Sequence, residues 1–594
     1  MKTADSDRVR RDSVILAQVV AGISVLSFFF YLQRGDLLLY GDAIAHINIA
    51  RRVFDSRTPG VLQLGTVWLP LPHLLMVPFL ISDRLWQTGI GGSFQSMVAY
   101  LVGTMGIFRL VRSALSSASD THARAAAWMA VVVYALNPNL LYLQSTAMTE
   151  PLYLAFFVWA VVYFVEWTQN ISRSAEAEDR LCSPLTRCGL CIFAACLTRY
   201  DGWFLACAAG FAVVIFSLAQ KTKLKKLRLS VVKFLLLAAA GPILWVAYNT
   251  IVYRNPMEFA TGPYSAKALA EHDVALGHAT HPGNHDVQLA FEYFLKSAEL
   301  NLAPGSWGRV WLVLLVAGIL AAARSHFFWP LSLLALPLLF YSLSISYSGV
   351  PIFLPLWWPF SFYNIRYGLE MLPAFAVFSG IFLHSVLTTL SSVRVRTTIA
   401  LAMAVLVVGS YAAVWHQRPV CFQEAWINSR DRIPMDIAVA ANLTKLPPNS
   451  ALLMYTGNHV AALQQAGIPF SRVVNEGNHR PWKSPTDLEG LWERALAKPQ
   501  KYVDYVVAFE GDAVDLAVNK SGLTSMAVLH SKGQPTATIY WTRRDTSRLG
   551  YPTHVIVTRR TPSRQREESA PKATVDRSGA LEGASLAEFN SFSR

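Results

Sequence analysis

The sequence predicts a mainly α, polytopic membrane protein: about eleven transmembrane helices followed by a small extracytoplasmic α/β domain. Three observations carry this. Of 594 residues, 53% are hydrophobic and only 15% are charged, too few charges to cover a soluble protein of this length. The apolar residues fall in long charge-free runs, among them 13–33, 85–108, 125–149, 234–253, 325–365, 371–393 and 397–417. About 20 apolar residues in a helix cross a bilayer core of about 30 Å. After Arg418 the runs stop, and the chain becomes mixed, charged and interrupted by Pro and Gly. Collagen-like, disulfide-scaffold and wholly disordered classes are excluded.

Taken in order, residues 1–12 form a basic cytoplasmic N-terminus with Lys2, Arg8, Arg10 and Arg11. The apolar run behind it is about 20 residues long, with no clear small-residue cleavage site, and reads as a retained first helix. The stretch 63–82 carries Pro70, Pro72 and Pro78, which argues against a straight span. If 63–82 lies on the outer surface and 188–220 turns at Arg199-Tyr200-Asp201-Gly202, the short inner loops hold 19 basic residues and the longer outer loops 11. Other arrangements place fewer basic residues inside or put the KTKLKKLR run (221–228) outside, so the positive-inside rule selects this one. The helices then run over 13–33, 90–112, 124–142, 150–167, 187–199, 202–219, 232–251, 309–324, 326–347, 367–389 and 397–416. The transmembrane domain is 13–417, with long outer loops 34–89 and 252–308. Residues 418–560 alternate strand-like and helix-like segments, with strands at 451–455, 504–510, 524–530 and 536–542. The tail 561–594 has few large apolar side chains and reads as disordered.

The net charge of +14 is accounted for by positive-inside retention rather than by nucleic acid. Five of six cysteines cluster at 182–207. Cys188 and Cys191 have metal-like spacing but no second pair, so packing is the simpler reading. No G-x-G-x-x-G or P-loop supports nucleotide binding, and N-x-S/T triplets at Asn170, Asn442 and Asn519 are too common to interpret.

On this topology the polar residues converge on the outer membrane face. The first outer loop reads YGDAIAHINIARR, with Asp42 and His46 on one face of a short interfacial helix. Trp68 and His73 follow in WLPLPH. Glu150 stands in TEPLY, before the fourth helix. Arg199, Tyr200 and Asp201 form the third outer turn, and Arg366-Tyr367 a later one. Singly, each has a bland reading: Asp42 or Thr149-Glu150 as a helix cap, the arginines as snorkelling groups. Carboxylates, arginines and histidines from separate loops at one membrane depth point instead to function.

In their order and placement, DAIAHINIARR, WLPLPH, TEPLY, TRYDGW and IRYGLEMLP resemble the GT-C superfamily of polyprenyl-phosphate-sugar-dependent glycosyltransferases. The nearest resemblance is to the bacterial branch related to protein O-mannosyltransferases and the lipid A aminoarabinose transferase, over about residues 10–415. The resemblance implies Asp42 as the catalytic acidic residue, Glu150 as the second acidic residue, and Arg199 at the lipid phosphate, where relatives often carry Lys. It also matches Arg366-Tyr367 to an RY motif before a late helix. From their placement at the outer face, His46, Trp68, His73, Tyr200 and Asp201 are expected as substrate contacts. The sequence departs from several relatives in having Ala43 rather than a second acid after Asp42.

The implied activity is transfer of a sugar from a polyprenyl-phosphate carrier to an acceptor hydroxyl at the outer face, with Asp42 as base and inversion of the anomeric centre. The membrane is bacterial and inner, its lipids are partners, and the acceptor is left open among lipid, protein and glycan. No cofactor is required, although Asp42, Glu150, His46 and His73 are all groups that could bind a divalent metal. Two other functions fit the composition: a lipid-linked saccharide flippase, and a lipid-linked glycan polymerase or ligase. A transporter would place its charges near the bilayer midplane in repeated, broken helices.

Overall fold

The computed structural model describes residues 2–115, 120–172, 178–219, 224–275, 280–324, 328–347, 350–478, 490–520 and 522–542. The chain divides into two compact units, one made of 1–54 and 60–427, the other drawing on 55–59 and on residues from 428 onward.

The first unit is helical. It opens with α1 (Lys2–Arg34), α2 (Gly41–Arg52), α3 (Leu71–Leu80), α4 (Asp83–Gln87), α5 (Ile90–Ala114), α6 (Asp120–Ala135) and α7 (Pro138–Leu143). There follow α8 (Glu150–Ser172), α9 (Glu178–Cys196), α10 (Asp201–Ala219), α11 (Leu224–Tyr253), α12 (Glu258–Thr261), α13 (Ala266–Ala275) and α14 (Val287–Leu302). It closes with α15 (Gly305–Ala323), α16 (Phe328–Leu331), α17 (Leu336–Tyr347), α18 (Leu372–Thr389), α19 (Val393–Gln417) and α20 (Val420–Ser429). A 3₁₀ turn, Ile365–Met371, leads into α18.

Among the described residues, nine helical stretches are long and apolar enough to cross a membrane. Several, including α1, α11 and α15, expose large apolar side chains such as Leu26, Leu236 and Val313, as lipid-facing surfaces do and water-facing ones do not. Two of the eleven expected spans fall short. The segment expected over 124–142 stops at Ala135, because Asn137 accepts N–H bonds from Asn139 and Leu140 and, with Pro138 behind it, starts a separate helix. The apolar part of α9 covers only Ser183–Cys196. The proline-rich stretch 63–82 forms the ten-residue α3, with Pro72 in its first turn, as expected for a segment that does not span.

Close helix approach in this unit depends on small residues. A Cβ on Gly106 of α5 would stand 2.8 Å from Val158 of α8. A Cβ on Gly368 would meet the backbone of Ser297 and Ala298, so the turn before α18 packs directly on α14.

The first compact unit runs past residue 418, where the sequence pattern changes. Arg418 adopts a left-handed conformation (φ 69°) that ends α19, but α20 remains part of the first unit. Its Cys421 N–H donates to Asn139 (2.9 Å), the Cys421 carbonyl accepts from the Tyr40 hydroxyl (2.8 Å), and Glu424 binds Arg366.

The second unit holds α21 (Arg432–Leu443), α22 (Val460–Ala466), α23 (Leu491–Ala497), α24 (Pro499–Tyr502) and α25 (Ala513–Ala517) around a five-stranded sheet. Its strands are β1 (Leu452–Met454), β2 (Val473–Val474), β3 (Tyr505–Phe509), β4 (Thr524–Leu529) and β5 (Ala537–Trp541), in the order β2-β1-β3-β5-β4. β1 is parallel to β2 and β3, and β5 is antiparallel to β3 and β4. Leu453, Val474, Val506 and Val514 lie in its core. Residues 55–59 join this unit because the Asp55 carboxylate accepts the N–H groups of Phe470 (3.2 Å) and Ser471 (3.0 Å). The expected disordered tail 561–594, the end of the expected domain at 543–560, and Lys221 and Lys223 of the basic run lie outside the described residues.

Candidate active site

Two buried arginines organise the polar groups of the first unit. Arg366 lies on the turn before α18. Asn364, two residues earlier, is left-handed (φ 55°), and the Ile365 carbonyl is held by Ser297 (2.7 Å) and Asn301 (2.7 Å) of α14. The Arg366 guanidinium reaches three carboxylates. Nε donates to Glu150 Oε1 (3.1 Å), Nη1 to Glu424 Oε1 (2.7 Å), and Nη2 to Asp42 Oδ2.

Arg199 stands in the turn between α9 and α10. Its Nη1 donates to Thr149 Oγ1 (3.2 Å) and Glu150 Oε1 (3.1 Å), and its Nη2 to the Tyr341 hydroxyl (2.8 Å). Its Nε meets Asp201 Oδ2 (3.2 Å) and Glu370 Oε1 (3.2 Å). The Tyr341 hydroxyl lies 2.6 Å from Glu370 and 3.0 Å from Asp201. The ring of Tyr367 is 4.8 Å from one guanidinium and 4.9 Å from the other, and Tyr40 lies 5.1 Å from Arg366. Guanidinium suits such a site because its fixed fork binds several oxygens at once and stacks on aromatic faces.

The cluster thus joins Asp42, Glu150, Arg199, Asp201, Arg366 and Tyr367, all expected from the sequence, with Tyr40, Thr149, Tyr341, Glu370 and Glu424, which were not. Glu150, Asp201, Glu370 and Glu424 have side chains at most 3% exposed, whereas Asp42 is 37% exposed. The oxygens Glu150 Oε2 and Glu370 Oε2 are buried without a partner. Asp42 is not the cap of α2: that position belongs to Tyr40, and the Asp42 carboxylate pairs across to Arg366. Glu150 begins α8 with its side chain turned to both arginines.

The remaining sequence candidates do not join the cluster. His46 and His73 are buried and bond each other (Nδ1 to Nε2, 2.9 Å), with Trp68 edge-on to His46 at 4.9 Å. They tie α2 to α3. Burial pushes the His46 imidazole down to about 3, with the charges of Arg366 and Arg199 adding to the effect. Burial likewise drives His73 well below the usual histidine range, helped by His46. Tyr200 turns away, donating to the Val67 carbonyl (2.9 Å) and accepting from Trp245 (3.1 Å). Arg51, on the same helix as Asp42, pairs instead with Asp83 (2.7 Å) and the Leu80 carbonyl (2.6 Å). The four candidate metal donors do not share one site, since the carboxylates meet Arg366 and the histidines meet each other. Among the described residues no group of three or more His, Cys, Asp or Glu is arranged to hold a metal ion.

The architecture, a multi-span helical membrane unit in a chain that also carries a small α/β unit, has counterparts among solved structures. That fold is shared with the crystal structure of ArnT from Cupriavidus metallidurans bound to undecaprenyl phosphate, at 13% identity and a TM-score of 0.52. The similarity covers 89% of this chain and 98% of that one. The apo form of the same ArnT gives 15% identity and a TM-score of 0.50 over the same shares. An oligosaccharyltransferase from Archaeoglobus fulgidus gives 12% identity and a TM-score of 0.46, covering 84% of this chain and 69% of that one. No protein-family model matches the sequence, and no curated protein is significantly similar to it.

Proposed function

We propose that this protein is an integral membrane glycosyltransferase that moves a sugar from a polyprenyl-phosphate carrier to an acceptor hydroxyl at the outer face of a bacterial inner membrane. The observation that carries the reading is the Arg366 guanidinium, which holds a half-exposed carboxylate, Asp42, on one side and the buried Glu150 and Glu424 on the others. The shared fold with a structure that holds undecaprenyl phosphate supports it.

In the proposed reaction the donor phosphate binds Arg366, and Arg199 with its partners holds Glu150 and the Tyr367 ring in place. Asp42 accepts the proton of the acceptor hydroxyl as its oxygen attacks the anomeric carbon. The bond from that carbon to the phosphate oxygen breaks, and the lipid phosphate leaves with the electron pair. The Arg366 guanidinium stabilises the charge that grows on the leaving oxygen. One base and one displacement invert the anomeric centre. Polyprenyl-phosphate sugar is the partner on the donor side, and no cofactor is needed for these steps.

The test is incubation of the purified protein with a panel of polyprenyl-phosphate sugars and hydroxyl acceptors, scoring free lipid phosphate. Release that depends on acceptor supports transfer, and the acceptor that works separates single-sugar transfer from glycan polymerisation or ligation. Movement of intact donor across vesicles without release supports the flippase instead.

A further inference from the structure

We infer that Glu424 is a positioning residue of this site: it holds Arg366 in the orientation that receives the donor phosphate. The inference builds on the lipid-phosphate reading above. Glu424 lies on α20, after the last long apolar helix, where the sequence pattern points to a separate domain. Its carboxylate binds both the turn that carries Arg366 and the guanidinium itself. Oε1 accepts from the Asn364 N–H (3.1 Å) and from Arg366 Nη1 (2.7 Å), and Oε2 accepts from the Ile365 N–H (2.8 Å).

These bonds fix the turn in one conformation. Asn364 is left-handed (φ 55°), a conformation that is uncommon outside glycine although Asn tolerates it better than most residues. Glu424 is itself fixed, because α20 is pinned three residues earlier by Asn139 and Tyr40. Its side chain is 1% exposed, so it acts on a substrate only through Arg366. Only a carboxylate offers two oxygens to two successive N–H groups while also binding a guanidinium. Glutamine keeps a single acceptor oxygen and turns an NH₂ group toward the cation.

The sign of the effect separates positioning from simple charge. Removing a negative charge beside an anion site tightens anion binding by Coulomb attraction alone. Losing the frame around Arg366 weakens it. The experiment measures binding of undecaprenyl phosphate to the purified full-length protein in detergent, with melting temperature alongside, for wild type, Glu424→Gln, Arg366→Gln and the double variant.

The expected result is that Glu424→Gln folds and binds about tenfold more weakly, Arg366→Gln more weakly still, and the double variant no worse than Arg366→Gln. Unchanged or tighter binding by folded Glu424→Gln overturns the inference, and so do losses that multiply in the double variant. If Glu424→Gln does not fold, the same cycle with Glu424→Asp decides between the two outcomes by the same non-additivity. Absence of binding in the wild type overturns the lipid-phosphate reading itself, and this role with it.

Discussion

Replacing Asp42 by Asn changes one oxygen to an NH₂ group at the most open carboxylate of the cluster. In the ion pair Asp42 is 37% exposed and Arg366 only 6%, and the amide oxygen of Asn can still accept from the guanidinium. Arg366 keeps Glu150 and Glu424, so the fold and melting temperature should change little. Affinity for a polyprenyl phosphate should hold or improve, because the amide competes less for Arg366 Nη2. Turnover should not survive. An amide cannot take the acceptor proton, and loss of a general base lowers rate about 10²–10⁴-fold, or about 3–5 kcal/mol in barrier. Single-turnover release of lipid phosphate at saturating donor reads the chemical step directly. A folded Asp42→Asn protein that transfers sugar at near wild-type rate would refute the base. A rate loss fully explained by weaker donor binding would make Asp42 a partner of Arg366 only.

Other predictions follow from the same geometry. Arg199→Ala leaves Asp201 and Glu370 without a cation in a buried site, while Glu150 keeps Arg366; breaking such a network costs about 3–5 kcal/mol, read as a large drop in melting temperature, and wild-type melting would show that the carboxylates do not depend on Arg199. His46 has a pKa depressed from 6.5 to about 3, so between those values the unfolded chain binds a proton that the folded chain does not. Stability present above pH 6.5 is therefore lost as pH falls toward 3, and His46→Gln should flatten that slope in a pH series of melting curves; an unchanged slope would remove His46 as its source. Reporter fusions after Leu443 should be active only on the extracytoplasmic side, as the basic-residue count over the short loops requires; a cytoplasm-only reporter active there would reverse the topology.

The legibility of this chain follows what apolar context makes visible. Asp42, Glu150, Arg199, Asp201 and Arg366 stand beside long apolar helices, where a charge is expensive and so conspicuous. Glu370 sits inside a segment conspicuous for its arginine, which masks it, although a carboxylate entering an apolar helix carries the same signal. Tyr341 is one of three aromatics in α17, with Phe340 and Tyr347, and nothing in its spacing shows a hydroxyl placed between two carboxylates. Glu424 is hidden because charge density rises after Arg418, and composition cannot tell a helix returning to the first unit from the start of another. Spacing puts His46 and Asp42 on one face of α2, but does not say which neighbour each meets. The four longer strands are readable from their apolar runs, while β2 has two residues, too few for any alternation. The segment 55–59 is held by bonds to Phe470 and Ser471, over 400 positions away, which no local pattern encodes.

The charge of the cluster bears on how a donor enters it. Five carboxylates face two guanidinium groups, and a phosphodiester brings one more negative charge. Four of the carboxylates are buried behind arginine or tyrosine hydrogen bonds, so they cannot make way. Asp42 can: it is the exposed partner of Arg366. On the proposed reading, a phosphate that takes Arg366 Nη2 displaces the Asp42 carboxylate, exchanging one anion for another at the cation. The displaced carboxylate is then free of the guanidinium and stands beside the bound sugar, where the acceptor hydroxyl has to arrive. Donor binding and release of the base are then one event, and a site without a donor holds its base paired and idle. That coupling gives a reason for Asp42 and the phosphate to share one arginine.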